Sequence, residues 1–432
     1  MRTHGFALIS ALSSLGCPVG AEVPVDAGDP SSADEADPAG EAGSPDSPGL
    51  DPRGDDPDDT HDPGEGPGAG RERYCDVASL GRLPPTWIVA EPSPIAGSLP
   101  LVTDLVVAED SLFVANWHTA SGGPPLGSIE RRTLAGELLW AVELDKPPWS
   151  IAWDGERLYA GFGRELRRWD RDGVADSWTH ATTNGWDVFR VAVDANAVAL
   201  LGTLDGQLGP HEDFTHSFYG AVTKTMPAEF HGYGHLDAED DDVGTVLAAS
   251  PWGGWVAGGT YRGNDPRAWL THFSREGAMD GGPDPGVHGF TTTFHRYDHP
   301  HLEALIAHDD LLYVGGWSHG SPVGAFWLAL DANGEEVLAE DLELCPGAHA
   351  SLYELVEQQG RLFGLGAAKI GPEPDDTVEL LVSMDYDGTV VEVTVLDAEP
   401  GTVVLEAIAS DGERVFVGGS RARERVIAEV EP

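Results

Sequence analysis

The chain has 432 residues, 73 Asp and Glu against 25 Lys and Arg, and a formal net charge of −48. A surface that acidic repels phosphate backbones and anionic bilayers, which argues against nucleic acid and lipid headgroups and favours cationic partners, divalent ions or plain solubility. No run approaches eighteen consecutive apolar residues, so nothing in the sequence reads as a membrane span.

Residues 1–17 read as an export signal. Arg2 and the free amine give a weakly positive start, Phe6 to Leu15 an apolar stretch, and Gly16-Cys17 a small residue before a cysteine. That ending resembles the bacterial lipoprotein box, although Ser14 stands where the box prefers Leu and Leu15 is shifted by one. The expectation is a lipid on Cys17, with simple secretion and cleavage nearby as the alternative. The protein is thus expected to be exported, as an outer-membrane or cell-surface lipoprotein, or otherwise as a secreted or periplasmic protein. Membrane contact would come only through the lipid.

Residues 18–74 form an acidic linker rich in Pro, Gly and Ser. They hold sixteen Asp or Glu, three Arg, and a single large aliphatic residue, Leu50. Such a segment cannot bury enough apolar surface to offset its ordering entropy, and it is expected to be a disordered, extended tether. Arg53-Gly54-Asp55 within it is a chance tripeptide. Asp55 to Asp59 lacks the Gly turn and terminal Glu of a calcium loop and reads as a solvated charge run.

From residue 75 to 432 the chain reads as one β-propeller domain. Short β-branched and aromatic runs alternate with Gly, Asp and Asn turns, without helical periodicity. One pattern, an apolar strand, a polar turn and a second strand ending in small residues, occurs seven times. Copies lie at Leu105–Ala115, Ile151–Gly161, Val191–Gly202, Leu247–Gly259, Leu305–Gly316, Leu355–Gly366 and Ile408–Gly419. A second pattern follows most copies: a strand, a tight turn and another strand, as at Trp169-Asp-Arg-Asp-Gly173, Leu330-Asp-Ala-Asn-Gly334 and Met384-Asp-Tyr-Asp-Gly388. In such turns Asp caps the backbone and Gly accepts positive φ. Two patterns per unit imply four antiparallel strands, repeated about every ~50 residues, the size of a propeller blade. The Gly-Gly pairs are expected to permit close packing near the ring centre. The last unit ends after a third strand, near Val426–Val430, while a spare strand, Trp87–Ala90, precedes the first unit. Pairing these two would close an all-β, seven-bladed ring and hide its edges.

The pattern Ala-x-x-Asp-Gly-x-x-x-Val-Gly-Gly, clearest at Ala407–Gly419, resembles the bacterial delta-sixty repeats and their secreted propeller relatives. Thr133–Trp140 is similar to one blade motif of the pyrroloquinoline-quinone-like propellers. In the quinone enzymes that motif recurs around the ring, whereas here one blade carries it, so the resemblance implies the fold and not the cofactor. It implies binding or scaffolding by analogy.

Chemistry is sparse. Eleven of the sixteen histidines fall between His211 and His319, the densest groups being His231-Gly-Tyr-Gly-His235 and His295-Arg-Tyr-Asp-His-Pro-His301. Imidazoles with Asp298 nearby make His295, His299 and His301 weak candidates for a divalent metal such as zinc or copper, against exposed loop histidines as the simpler reading. Asp237 to Asp242 is a carboxylate-rich run best read as a solvated loop. No Gly-x-Ser-x-Gly elbow and no phosphate-binding loop occur, and no catalytic residue is assigned. Trp149, Trp153, Trp169, Trp178 and Trp186 cluster near the second unit and are expected mostly in the core. Trp117 and Trp317, read as turn residues, are candidates for a carbohydrate or peptide platform. With Cys17 acylated, Cys75 and Cys345 remain as a possible disulfide.

These readings favour a non-enzymatic, monomeric binding or scaffold propeller on a flexible tether, with a protein, peptide or glycan ligand and no cofactor. The alternatives are a secreted metal-dependent enzyme on the same ring (hydrolase, oxidase or polysaccharide lyase) and a structural envelope component.

Overall fold

The computed structural model describes residues 74–83, 85–92, 99–119, 124–182, 186–204, 216–235, 242–261, 267–273, 291–294, 297, 299–318, 324–345, 348–372, 376–396 and 403–430. The signal, Cys17 and residues 18–73 of the linker lie outside them.

The described residues form a short 3-10 turn at Val77–Ser79 and 29 strands. Two strands come first, β1 (Gly81–Arg82) and β2 (Thr86–Pro92). Blade 1 follows with β3 (Leu99–Ala108), β4 (Ser111–Thr119), β5 (Leu126–Thr133) and β6 (Leu138–Leu144). Blade 2 is β7 (Pro148–Trp153), β8 (Arg157–Phe162), β9 (Glu165–Asp170) and β10 (Ala175–Ala181). Blade 3 is β11 (Trp186–Val193), β12 (Ala197–Leu204), β13 (His216–Thr223) and β14 (Phe230–His235). Blade 4 is β15 (Asp242–Ala249), β16 (Trp255–Tyr261), β17 (Arg267–Phe273) and β18 (Thr291–Phe294). Blade 5 is β19 (Pro300–His308), β20 (Leu311–Ser318), β21 (Gly324–Leu330) and β22 (Glu336–Leu342). Blade 6 is β23 (Ala350–Gln358), β24 (Arg361–Lys369), β25 (Thr377–Met384) and β26 (Val390–Val395). Blade 7 has β27 (Val403–Ser410), β28 (Val415–Arg421) and β29 (Glu424–Val430). Each blade is an antiparallel meander, and the result is a seven-bladed all-β propeller.

The turns carry the chemistry that the sequence advertises. Asp154, Asp194 and Asp411 each accept two backbone N–H bonds through Oδ1 between the first and second strands of their blades. Asp170 and Asp331 do the same between third and fourth strands, followed by Gly173 and Gly334 at φ 79° and 75°. A side chain that caps the reversal and a residue that tolerates positive φ are what a two-strand turn needs.

Period-two alternation sends neighbouring side chains to opposite faces of a blade, so the core divides into layers between blades. There are seven such clusters among the described residues, one at every blade boundary. In β20, Leu312 and Val314 join the layer against blade 4, while Tyr313 joins the layer against blade 6. The layer between blades 7 and 1 holds Ala407, Ala409, Phe416 and Ile427 against Val102, Leu105, Leu112 and Val114. With every boundary filled, the sheets close into a ring. The first strand of each blade contacts the first strand of the next, and these seven strands surround the central channel.

Blade 7 takes its outer strand from the start of the domain. β2 pairs antiparallel with β29, with Trp87 opposite Ala428 and Ala90 opposite Val426. The chain approaches this position along blade 6. Cys75 is bonded to Cys345 (Cα–Cα 5.6 Å), just after blade 5, and its N–H donates to Lys369 O at 2.9 Å. β1 then lies parallel to β26 as a fifth strand on blade 6, an addition the repeat count does not anticipate.

A buried ionic cluster fixes the seam. Arg132 of β5 donates from Nε to Glu130 Oε2 at 2.7 Å, and from Nη2 to Glu91 Oε2 of β2 at 2.7 Å. Arg425 of β29 donates to both Glu130 and Glu91. Two guanidiniums thus meet two carboxylates from β2, the last blade and the first. Burial alone would raise the Glu91 carboxyl, but the two guanidiniums more than offset it and hold it below its ordinary value.

Candidate binding site at the channel mouth

Near its start, each of the seven first strands carries a β-bulge. In β19, Leu302 faces Gly316 and Ala304 faces Gly315, which makes Glu303 the extra residue of the bulge. The same irregularity singles out Thr103, Trp149, Phe189, Thr245, Tyr353 and Glu406 in the other blades. A bulge re-aims the side chain of the extra residue and twists the strand. Here it crowds the second strand as well. A Cβ on Gly202, Gly259, Gly316, Gly366 or Gly419 would sit 1.9 to 2.4 Å from a first-strand carbonyl oxygen. The Gly-Gly signature of the repeats is the imprint of the bulge on its neighbour.

The residue after the bulge ties blades together. Asp104 Oδ2 accepts from the Ile151 N–H of blade 2 at 2.8 Å, Ser150 Oγ from the Val191 N–H of blade 3 at 3.2 Å, and Glu354 Oε2 from the Ile408 N–H of blade 7 at 3.0 Å. Thr103 and Thr245, at bulge positions, donate to the carbonyls of Pro148 and Leu302 in the next blade. Arg190 Nε donates to Thr245 O at 2.8 Å.

These positions share a frame but not a chemistry. Blades 1 to 3 present an aromatic arc, in which Trp149 meets Trp117 edge-on at 5.0 Å and Phe189 edge-on at 5.8 Å. Blades 5, 6, 7 and 1 present Glu303, Tyr353, Glu354, Glu406 and Asp104, all half-buried. Glu379 of β25, 7% exposed, joins them: one carboxylate oxygen accepts from the Leu405 N–H, and its Oε2 has no hydrogen-bond partner among the described residues. Among the described residues, the one guanidinium acting on Asp104, Glu354 and Glu406 is Arg190, which reaches them from blade 3.

So many carboxyls in a poorly hydrated space cannot all ionise at ordinary pH. Burial, and then the charge of Asp104, push Glu354 up to about 8. Burial, and then Glu303, push Glu406 up to about 7. Glu379 is raised well above its ordinary value by burial and Glu406. Burial raises Asp104 too, despite the N–H bonds it accepts and the pull of Arg190. Asp104 and Glu354 influence one another from blades 1 and 6, with blade 7 between them, as groups around a common axis do.

Of the residues singled out from sequence, Trp117 and Trp149 belong to the aromatic arc. His295 falls outside the described residues. His299 is exposed at φ 51°, and His301 stacks flat on Trp317 at 4.0 Å. Among the described residues, no three His, Cys, Asp or Glu side chains are grouped to hold a metal ion. His231 and His235 belong to strand β14, and Asp237–Asp241 lie outside the described residues. Trp117 and Trp317 are not turn residues. They lie near the ends of β4 and β20 and are 9% and 8% exposed, Trp117 against Trp149 of blade 2 and Trp317 under His301 of its own blade. Trp169 and Trp178 are core residues, as large aromatics usually are. Among the described residues, no helix is long and apolar enough to cross a membrane.

No protein-family model matches the sequence, and neither does any curated protein sequence. Solved structures do resemble it. A chain in a crystal structure of the mitotic checkpoint complex superposes with a TM-score of 0.51 at 14% identity, over 82% of this chain and 98% of that one. The WD40 domain of Neurospora crassa Pan2 gives 0.42 at 12% identity, over 80% of this chain and 95% of its own. BamB from Moraxella catarrhalis gives 0.42 at 10% identity, over 79% and 100%. At 14% identity the first of these likenesses is one of fold alone.

Proposed function

We propose that the protein is a non-enzymatic binding or scaffold module that holds a protein or peptide partner at the channel mouth where the first strands begin. The observation behind this reading is an internal comparison of the seven blades. Positions that build the frame repeat, with glycine opposite the bulge in blades 3 to 7. The bulge positions themselves hold Thr, Trp, Phe, Thr, Glu, Tyr and Glu. A packing role would favour similar side chains in similar places. A recognition surface needs different ones, held rigidly and facing one space.

The same reading makes it an exported protein. The apolar stretch before Cys17 and the acidic composition of residues 18–74 support a lipid-anchored or secreted molecule on a long tether. A Cys75–Cys345 bond suits that oxidising location.

A peptide library panned against the full chain tests the binding reading. Selected peptides are expected to lose affinity at least tenfold in Trp149→Ala and Glu406→Gln, and to bind normally to Leu138→Ser, which alters an exposed residue of an outer strand. Selected peptides indifferent to both channel substitutions would refute it, as would a library that yields none.

A further inference from the structure

The binding reading leaves the chemistry of the partner open, and the lining of the mouth narrows it. Five carboxyls converge there: Asp104, Glu303, Glu354, Glu379 and Glu406. They come from four blades and act on one another. Against them stands Arg190, whose Nε is already committed to Thr245 O. Acidity alone would say little in a chain of net charge −48.

A second observation is independent of charge counting. Glu379 is 93% removed from solvent, as its 7% exposure shows, yet its Oε2 meets no hydrogen-bond donor among the described residues. Its other oxygen is held by the Leu405 N–H, beside Glu406, and its charge is felt by Tyr353 at the bulge. Buried carboxylate oxygens are nearly always satisfied, because stripping water from one without replacing it is costly. Once ionised, this atom needs a donor.

The opposite arc completes the description. Trp149 and Phe189 offer π-faces and edges from blades 2 and 3, beside Asp104 of blade 1 and across the ring from Glu303, Glu354 and Glu406. A metal ion has no use for indole and phenyl rings, and no metal-ligand grouping is present among the described residues. An organic cation uses both arcs: its N–H donors serve carboxylates, and its charge and methylene surface suit aromatic rings.

We propose that the channel mouth binds an ammonium or guanidinium group, presented as a lysine or arginine side chain on an extended segment of the partner. This rests on the reading that the mouth is the binding face. Entry of the cation exchanges a proton for a positive charge. The carboxyls that face the cation are Asp104, Glu303, Glu354, Glu379 and Glu406, with Tyr353 and Arg190 lining the same space. Burial and neighbouring carboxylates raise Glu354 and Glu406, and the arriving cation displaces about one proton from this set to solvent, so the site's net charge changes little.

Calorimetry on the full chain tests this with four probes: acetyl-Lys-Lys-Lys-amide, acetyl-Gln-Gln-Gln-amide, spermidine and zinc ion. The lysine peptide is expected to bind at 500 mM NaCl, where contacts with exposed surface charge are screened. At pH 7 its heat should differ between phosphate and Tris buffers, in the sense of proton release. Glu354→Gln with Glu406→Gln should weaken it at least tenfold and abolish the buffer dependence. Glu335→Gln with Glu336→Gln, two exposed carboxylates of blade 5, should change neither.

Binding that vanishes at 500 mM salt, or that falls equally in both double variants, would overturn the proposal in favour of a diffuse polyanion. Tighter binding of zinc or spermidine than of the lysine peptide would overturn it too. If the glutamine peptide binds with Trp149 dependence and the lysine peptide does not, the cation is wrong but the mouth remains the binding face. If no peptide of any charge engages the mouth, both readings fall.

Discussion

Replacing Glu130 with Ala should loosen the seam of the ring. Glu130 is 4% exposed, and it receives Arg132 on one oxygen and Arg425 on the other. Its removal leaves two buried guanidiniums, 2% and 6% exposed, with only Glu91 to answer them. The Glu91 side chain is 43% exposed and is already engaged by both arginines. Breaking one member of a buried ionic group typically costs about 3–5 kcal/mol, mostly through the charge left behind. Arg132 keeps its bond to the Gly136 carbonyl at 2.8 Å, which favours the lower end. The assay is urea unfolding combined with hydrogen exchange. Amides of β2 and β29 should exchange about a hundredfold faster or more, the equivalent of about 3 kcal/mol, while those of blades 3 to 5 hold. A double-mutant cycle with Arg425→Ala should show a coupling of about 1–3 kcal/mol. Coupling near zero, or unchanged exchange in β2, would refute the argument that these charges hold the first and last strands together.

Three further outcomes are expected. The channel carboxyls should make the protein less stable as pH rises from about 4.5 to 8, because in that range the unfolded chain has released protons that Glu354 and Glu406 retain when folded. The loss should approach several kcal/mol, at about 1.4 kcal/mol per pH unit for each group, and urea midpoints across this range should flatten in the Glu354→Gln, Glu406→Gln variant. Gly419→Ala would drive a Cβ to within 2.0 Å of the Val404 carbonyl and should lower stability by about 2–4 kcal/mol, read from the same midpoints. Changing both Cys75 and Cys345 to Ser releases a closure spanning 270 residues and should cost up to about 5 kcal/mol by calorimetry, with no further effect of reductant.

The architecture was legible because most blades announce themselves twice. An Asp at the reversal and a Gly near the strand end are local requirements, so they leave local marks, and the spare strand at Trp87–Ala90 showed as a remainder after counting. The channel was harder to read. Its acids are single residues inside apolar strands, as in Leu302-Glu303-Ala304, Tyr353-Glu354-Leu355 and Leu405-Glu406-Ala407, spaced by a blade or more. A search for clustered ligands goes to the histidines of 295–301 and to Asp237–Asp242 instead, because proximity in sequence is a poor guide to a ring's axis. The signal was present: aligning the first strands of blades 3 to 7 on their Gly-bearing neighbours places each interruption at the same step. The seam was not legible in the same way, since Glu91 and Arg425 are 334 residues apart and neither belongs to a repeat.

The join between β2 and β29 also governs how the molecule is made. At synthesis rates of about 5–20 residues per second, roughly 15–70 s pass between the appearance of the two strands. Throughout that interval β2 waits without the rest of blade 7 and offers an unsatisfied edge to any neighbour. Completion therefore waits for β29, and a nascent chain that stops short of Arg425 can assemble blades 1 to 6 but has nothing to hold the circle shut.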